Sequence, residues 1–333
     1  MAAAAGRELR LAVVGATGAV GAQVVELIDA RALPCAELAL FATERGATQT
    51  VEARGEALAV AEFYEPGELS RFDLAFLAVT RSWAADIVHA RPGPLLVDFS
   101  AALRVPAEMP TVPFVAPGFT PAERVREIAA GARLIAIPHP AAHALASVIN
   151  AAGAQGRIVC ATVMLGASAE GRDSVEQVAR EARELLSGTH NLEEDEIQRA
   201  FNAYPADPEM GLAAALAGQC AALLGAASHL LVDVVHIPVL HGSALSILIP
   251  EVADLQNLRE RLRAAPGLML AEGEEGSAGV IDAIGQEAIL VEPAVQAAGA
   301  SVWCAFDSAR LAALDAVWVA EKLAAAGAAP GNA

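Results

Sequence analysis

Short apolar runs alternate with helical patterns over roughly the first 130 residues of the chain. Residues 9–14 are apolar, residues 15–21 are rich in glycine, and residues 22–30 have the spacing of an amphipathic helix. Further strands are predicted at 38–42, 58–61, 74–78 and 95–99, and a helix at 83–89. Strands that alternate with helices predict a doubly wound parallel sheet of the Rossmann type, an α/β fold.

The pattern changes after residue 131, where a second domain is expected to begin. An extended segment at 133–137 is followed by a Pro/His-rich turn at 138–140. Helices are predicted at 141–152, 174–187, 212–224 and 309–325, with a frayed tail after the last of them. Strands are predicted at 157–164, 231–239, 243–249, 279–281, 288–291 and 301–306.

Composition and charge exclude several classes of protein. Hydrophobic residues make up 55% of the chain and charged residues 19%, so a packed core is expected and disorder is not. The formal net charge of -18 repels polyphosphate, which argues against a nucleic-acid partner. The uncharged stretch at 211–232 is mostly Ala and Gly, and it contains Gln219 and His229. It is therefore expected to be a buried or interface helix, not a membrane span.

The N-terminal residues and the cysteines suggest a cytoplasmic protein. Residues 1–6 are followed directly by charged residues, with no apolar segment before a cleavage site. The cysteines are widely spaced, without a CxxC pair or a Cys/His cluster, so neither a disulfide framework nor a zinc site is indicated. We interpret them as reduced, mostly buried thiols: Cys35, Cys160, Cys220 and Cys304.

The glycine-rich turn is the first candidate binding site. Glycines at every third position, between a strand and a helix, let backbone N–H groups approach a pyrophosphate at the helix N-terminus. Dinucleotide binding is favoured over a purely structural tight turn, because the strand and the helix are both present. The residues expected to contact the nucleotide are Gly15, Ala16, Thr17, Gly18, Ala19, Val20 and Gly21.

The second predicted strand suggests which nucleotide is bound. No acidic residue ends this strand to hold a free ribose 2′-hydroxyl. Instead Thr43 and Arg45 offer a hydroxyl and a guanidinium, which suit a 2′-phosphate and favour NADP over NAD. An ordinary solvated arginine at this position is the alternative.

Five segments in order carry a resemblance to a known family, at 15–21, 97–104, 200–205, 236–239 and 302–310. With them the chain resembles the aspartate-semialdehyde dehydrogenases of amino-acid biosynthesis, and within these the Usg-type paralogues. The resemblance implies an NAD(P)-binding Rossmann-type domain at 1–132 and an α+β substrate and dimerisation domain at 133–305. It also implies that a C-terminal helix within 306–333 returns to the nucleotide domain.

The resemblance further implies an altered reaction site. The family forms a thioester on a cysteine, transfers hydride to NADP and releases the product with phosphate. The cysteine position is occupied here by Pro140, the general-base histidine by Ser243, the carboxylate-binding arginine by His236 and a glutamine beside the nucleophile by Leu165. The family's charged substrate residues align with 212–222, which carries no charge, whereas the candidate phosphate-binding arginine is kept as Arg104. Because nucleophile and base act as a unit, the sequence predicts a pseudoenzyme, inactive or impaired in thioester formation.

Two other functions stay open. The first is an active NADP-dependent oxidoreductase that acts on a different substrate without a cysteine nucleophile, using His139, His236 or His241 as the titrating group. The second is a non-enzymatic assembly protein. His139 and His241 are also candidates for lining the pocket. With His143, these histidines lie in segments that would meet at the family's active site, yet ordinary imidazoles are favoured over a metal site.

Dimerisation is expected whichever function holds. The helix at 212–224 has almost no polar face, so the chain itself or a second copy must cover it. We expect a C2 homodimer through the central domain. A further protein partner is also open, whereas a nucleic acid or a membrane is not expected.

Overall fold

The computed structural model describes residues 7–100, 113–189, 197–225, 229–271 and 278–326. The chain divides into two compact units, one of residues 1–139 and 312–333 and the other of residues 140–311. Each unit is built on its own seven-stranded sheet. Within the described ranges, no helix is both long and apolar enough to span a membrane.

The first unit is a doubly wound α/β structure, as predicted. Its sheet has the order β3-β4-β2-β1-β5-β6-β7, and every pair is parallel except the β3/β4 hairpin at the edge. The order reverses at β1, between β2 and β5, where such folds bind ligands beyond the carboxyl ends of the strands. The strands are β1 (Leu9–Val14), β2 (Cys35–Ala42), β3 (Thr50–Ala53), β4 (Glu56–Glu62), β5 (Leu74–Leu77), β6 (Leu95–Asp98) and β7 (Leu134–Ala136). The helices are α1 (Ala19–Ala30), α2 (Arg81–Ala90) and α3 (Ala122–Gly131).

Apolar runs explain the core of this unit. Strands β5 and β6 are buried at every position, as expected for parallel strands covered on both faces. Residues 133–139, which the sequence analysis assigned to the second domain, group with this unit because β7 pairs with β6.

The second unit has a mixed sheet in the order β12-β13-β14-β11-β8-β10-β9. Its strands are β8 (Ile158–Leu165), β9 (Tyr204–Pro205), β10 (His229–His236), β11 (Ser243–Pro250), β12 (Leu268–Leu270), β13 (Ile289–Gln296) and β14 (Gly299–Phe306). Its helices are α4 (Pro140–Ala152), α5 (Arg172–Ser187), α6 (Leu212–Leu224) and α7 (Leu255–Ala264). Helix α4 packs against α6, α7 and β11, and its long apolar pattern is explained by burial on almost every side.

A last helix, α8 (Ser308–Ala325), ends the described chain. Its residues from Ala312 onward belong to the first unit. Ala313, Val317 and Leu323 are fully buried there, in one cluster with the apolar residues of β1 and α1. The core of the first unit is therefore completed by residues from the far end of the chain.

The strand predicted at 279–281 is wrong. This segment is a turn that leads into a 3₁₀ turn at Ile281–Ala283. The Asp282 carboxylate accepts the N–H of Gly279 at 2.7 Å, and Ile281 is 75% exposed. This local hydrogen bond between a side chain and the backbone stabilises a turn in place of strand pairing. Most of the tail that was expected to fray lies outside the described residues.

Candidate functional site

The glycine turn brings three strand ends and one helix close together. Gly15 adopts a left-handed φ of +87°, and its N–H donates to the carbonyl of Phe41 at 2.8 Å. A Cβ at Gly15 would overlap the carbonyl of Ala78, just beyond β5, and a Cβ at Gly21 would overlap the carbonyl of Gly15. Only glycine allows these close backbone contacts. The contacts hold the N-terminus of α1 close to the crevice beyond β1.

The N-terminus of α1 is left open toward a ligand. Gly18 is the N-cap and has no side chain to accept the free N–H groups of Ala19, Val20 and Gly21. A Cβ at Gly18 would lie 3.2 Å from the Gly15 carbonyl, with no side chain of the described residues within 4 Å. The first turn also carries no acidic side chain. Free N–H groups at the positive end of a helix fit a pyrophosphate.

The loop after β2 lies against this turn. The N–H groups of Gly46 and Ala47 both donate to the Thr43 carbonyl at 2.8 Å, which leaves Thr43 and Arg45 exposed. A Cβ at Gly46 would overlap the hydroxyl of Thr17, so the two loops touch. Within the described ranges the Arg45 guanidinium has no hydrogen-bond partner. Its cationic group is thus available beside the predicted nucleotide site.

In the second unit, three of the positions predicted to correspond to a reaction site form one row across adjacent strands. Strand register places His236 of β10 opposite Leu165 of β8, and Leu165 opposite Ser243 of β11. Ser243 is fully buried and accepts a hydrogen bond from the Ser308 hydroxyl at 2.7 Å. Leu165 is 2% exposed. Neither residue offers a group that could take a proton near neutral pH.

The remaining predicted site residues are spread over loops and a helix start. Pro140 is the first residue of α4, a position where the fixed φ of proline suits a helix. His139, just before it, is partly buried, and desolvation lowers its pKa to about 4, so the imidazole is neutral at pH 7. His241 is exposed between β10 and β11, and His143 is buried on α4. Arg104 lies outside the described residues.

Three of the four cysteines are poor nucleophiles. Burial raises the pKa of the Cys35 and Cys304 thiols and raises the pKa of Cys220 to about 12. All three are therefore protonated near neutral pH. Cys160 is partly exposed on β8. Across the described ranges, no group of three His, Cys, Asp or Glu side chains is arranged to hold a metal ion.

Sequence reasoning missed a polar cluster around His236. The Glu170 carboxylate accepts hydrogen bonds from Arg199 and Ser174 and lies 3.3 Å from His236 Nδ1. Tyr204 stacks on the His236 ring, with centroids 5.0 Å apart. The spacing of Glu170 and Ser174 is a local signal, but Arg199 comes from 29 residues further on. Only the tertiary fold brings it to this place.

The chain has well-defined similarities to known proteins. Residues 10–127 match the family model described as semialdehyde dehydrogenase, NAD binding domain. An aspartate-semialdehyde dehydrogenase of Synechocystis sp. is 30% identical over 95% of this chain and 97% of its own length. A USG-1 protein homolog of Azotobacter vinelandii is also 30% identical, over 94% and 97% of the two chains.

A solved structure supports the same relationship. The structure of a probable aspartate-semialdehyde dehydrogenase from Pseudomonas aeruginosa superposes with a TM-score of 0.81 at 29% identity. It covers 95% of this chain and 98% of its own. Both units of the present structure therefore have counterparts in one known architecture.

Proposed function

The chain belongs to the aspartate-semialdehyde dehydrogenase family, and we propose that it is a nucleotide-binding homodimer that is inactive or impaired in thioester chemistry. The similarity to USG-1 protein homologs fits a Usg-type paralogue within the family. The first unit matches the family's NAD binding domain, which indicates binding of a nicotinamide cofactor. Impairment, the preference for NADP and dimerisation are the parts of the proposal that need tests.

The observation that carries the impairment is the chemistry of the aligned positions. Pro140 has no nucleophile, and the Ser243 hydroxyl is buried in a hydrogen bond with Ser308. The raised pKa values of Cys35, Cys220 and Cys304 keep these thiols protonated, so they are poor substitutes for a lost thiolate. A thioester cannot form without an activated nucleophile.

An activity assay tests this part directly. The purified protein is incubated with aspartate semialdehyde, phosphate and either NADP or NAD, and nucleotide reduction is followed by absorbance. We expect no turnover above the rate without protein. Turnover that disappears in Cys160→Ser would contradict the proposal and identify Cys160 as a nucleophile.

The nucleotide site is assigned to the turn at 15–21 and to Thr43 and Arg45. A bound nicotinamide nucleotide would supply hydride transfer, while these residues bind its phosphates. The free N–H groups of α1 suit the pyrophosphate, and the exposed Arg45 guanidinium suits a 2′-phosphate. Glu44, which lies exposed between Thr43 and Arg45, is negatively charged and repels a 2′-phosphate. The preference for NADP over NAD therefore depends on the positive charge of Arg45.

Calorimetric titration tests the preference for NADP. We expect the wild-type protein to bind NADP more tightly than NAD, and Arg45→Ala to lose roughly tenfold in NADP affinity with little change for NAD. Arg124→Ala, which removes an exposed arginine of α3, is the matched control. Equal affinities for the two nucleotides in the wild type would refute the preference, and no binding of either would leave the assembly function.

The alternative of a direct-hydride oxidoreductase has weaker support. Proton transfer near neutral pH is most effective from a group whose pKa lies close to 7. Desolvation lowers the pKa of His139 to about 4, far from that value. His139 is therefore a poor candidate for the proton-transfer group.

The homodimer is assigned to the open face of the second sheet. Residues of β8 alternate between buried and partly open positions, so helices cover one face and leave the other accessible. Strand register places Leu231 and Leu248 on either side of Cys160, and these leucines are 65% and 48% exposed. Helix α6 has a weaker claim, because its exposed residues are small: Ala214, Gly218 and Ala222. Exposed large apolar side chains in one row are typical of an interface.

A further inference from the structure

Exposed arginines mark the amino ends of four adjacent strands in the first sheet. The sheet order places β1, β5, β6 and β7 side by side, and all of these pairs are parallel. Arg10 is the second residue of β1, and Arg71 lies three residues before β5. Arg91 lies four residues before β6, and Arg133 lies directly before β7. All four are exposed, and we call this row the arginine edge.

The arginine edge is long and lies away from the nucleotide site. Neighbouring strands of a sheet are about 4.8 Å apart, so the four strand starts span about 14 Å. An extended polypeptide advances about 3.3 Å per residue, so four or five residues cover this distance. The nucleotide site is assigned to the carboxyl ends of the strands, at the opposite edge of the sheet.

The carboxylates at this edge do not cancel its positive charge. The Asp73 side chain is only 9% exposed and lies 3.2 Å from both Arg7 Nη2 and Arg10 Nη2. Glu37 pairs with Arg71 at 3.0 Å. The amino ends of β2 and β4 also carry arginines, but acidic residues accompany them, so the patch ends at β1. The charged residues of the patch are the cations Arg7, Arg10, Arg71, Arg91 and Arg133 and the carboxylates Glu8, Glu37 and Asp73.

The part of the edge at β6 and β7 carries cations without acidic neighbours in sequence. Residues 88–95 and 128–134 contain no Asp or Glu. Arg133 Nη1 donates to the Gly93 carbonyl at 3.1 Å, which holds its guanidinium beside the loop before β6. Arg91 is exposed and, within the described ranges, has no hydrogen-bond or ion-pair partner. Its charge is therefore available to a ligand.

Helix ends alone do not explain the row. Arg91 is the C-cap of α2, and Arg133 follows α3 by two residues, where the helix dipole favours a cation. Arg10, however, lies within a strand, and Arg71 ends a 3₁₀ turn. What the four arginines share is their place at one edge of the sheet.

We propose that the arginine edge binds an acidic polypeptide segment of a partner protein in an extended conformation. Guanidinium groups pair with carboxylates through charge-assisted hydrogen bonds. Successive acidic residues fit this row better than one phosphate does, because the arginines are spread over about 14 Å. A nucleic acid fits less well, since its dense charge continues beyond the row and is repelled by the net charge of -18. The inference goes beyond the proposed function and does not depend on it.

Binding of fluorescein-labelled hexaglutamate tests the proposal, with fluorescence anisotropy measured at low ionic strength. We expect wild type to bind hexaglutamate but not hexaglutamine with the same label. Arg71→Gln with Arg91→Asn removes two exposed cations and should weaken this binding roughly fivefold or more. Asn is chosen because Arg91 has a left-handed φ of +50°, which Asn tolerates. The fold and the affinity for NADP should be retained, which separates this result from the nucleotide site.

Arg180→Gln with Arg183→Gln is the matched control. Both arginines are exposed on α5 of the second unit, so the net charge changes equally and hexaglutamate binding should fall less than about twofold. An equal loss in the two double variants overturns the proposal, as does a wild type that does not bind hexaglutamate. Tighter binding of inorganic triphosphate or a thymidine oligonucleotide, lost in Arg71→Gln with Arg91→Asn, would also overturn it by assigning the edge to phosphate groups. If that double variant does not fold, Arg91→Asn alone must weaken binding more than Arg183→Gln alone.

Discussion

At the scale of single residues, the glycine turn depends on a close contact between two backbone segments, and any side chain at these glycines would prevent that contact. A Cβ on Gly21 would overlap the carbonyl oxygen and carbon of Gly15, and both of these atoms belong to the backbone. Neither can move away through a side-chain rotation. The third glycine of the turn thus maintains the contact between α1 and β1 even without a ligand.

Gly21→Ala tests this contact. We expect the free energy of unfolding to fall by roughly 1–3 kcal/mol, because overpacking at a rigid backbone contact must displace α1. The control is Gly218→Ala on α6, where the described residues leave the Cβ position open. That change should be neutral or stabilise by up to about 1 kcal/mol, since Ala favours helix. Denaturant unfolding of the two variants measures both effects, and equal changes would argue against a packing role for Gly21.

His139 gives a prediction about pH. Its pKa is lowered to about 4 by desolvation, so the folded protein binds this proton less readily than the unfolded chain, with a pKa of about 6.5. Above about pH 6.5, His139 is neutral in both the folded and the unfolded chain, and its contribution to the free energy of unfolding is fully present. As the pH falls toward 4, the unfolded chain takes up the proton first, and this contribution is lost. Because the side chain is only partly buried, we expect a loss on the order of 1 kcal/mol or less per pH unit.

Urea unfolding at pH 7 and pH 5 measures this loss. Wild type should lose more stability between these values than His139→Gln, which cannot be protonated. His89→Gln, at an exposed position of α2, should behave like wild type. If all three proteins lose the same amount, the pKa of His139 is not lowered in the folded state.

The candidate site could be predicted only in part at this scale. The glycine turn was recognisable because its residues are consecutive in sequence, and the structure gives each glycine a packing or capping position. The cluster around Glu170 was not recognisable, because Arg199 approaches Glu170 only through the tertiary fold. No short-range pattern marks a pair that is joined in this way.

At the scale of elements, segments with a sharply bounded apolar run or a clearly amphipathic pattern were predicted well, and several short or weakly patterned ones were missed. The strand at β1 and the uncharged helix α6 have the predicted bounds, because their apolar runs end sharply. Helices α3 and α7 were missed, since each buries only two apolar residues and is otherwise charged. The edge strand β3 was missed for a similar reason, with one fully buried residue. Such elements form because the rest of the fold supports them.

Helix α8 is an element whose burial can be measured. Leu323 is fully buried in the core of the first unit. Leu323→Ala should lower the free energy of unfolding by about 2–5 kcal/mol, through lost apolar burial and the cavity left behind. The same substitution at Leu186 of α5, which is 81% exposed, should change it by less than about 0.5 kcal/mol. Similar effects at the two sites would mean that α8 does not contribute to this core.

At the scale of the whole molecule, the open face of the second sheet is the feature that concerns assembly. The row of Leu231, Cys160 and Leu248 crosses the adjacent strands β10, β8 and β11. The opposite face of β8 is buried. Two such faces related by a twofold axis would cover each other's exposed leucines. This arrangement gives the proposed homodimer a specific surface.

Leu231→Arg tests the dimer. A cation in the centre of an apolar interface is costly, so we expect the dimer to dissociate at micromolar concentration while the fold is retained. Sedimentation measures the mass, and circular dichroism checks the fold. Leu186→Arg, on an exposed position of α5, should leave the mass unchanged. A wild-type monomer, or a Leu231→Arg dimer, would refute this surface.

The return of the chain into the first unit also bears on the order in which the protein can fold as it leaves the ribosome. The second unit is one continuous segment, residues 140–311, and can complete its core once that segment has emerged. The first unit begins earlier but lacks the buried residues of α8 until residues 312–325 have emerged as well. Nascent chains would therefore carry a finished second unit and an unfinished first one, the reverse of the usual order from the N-terminus.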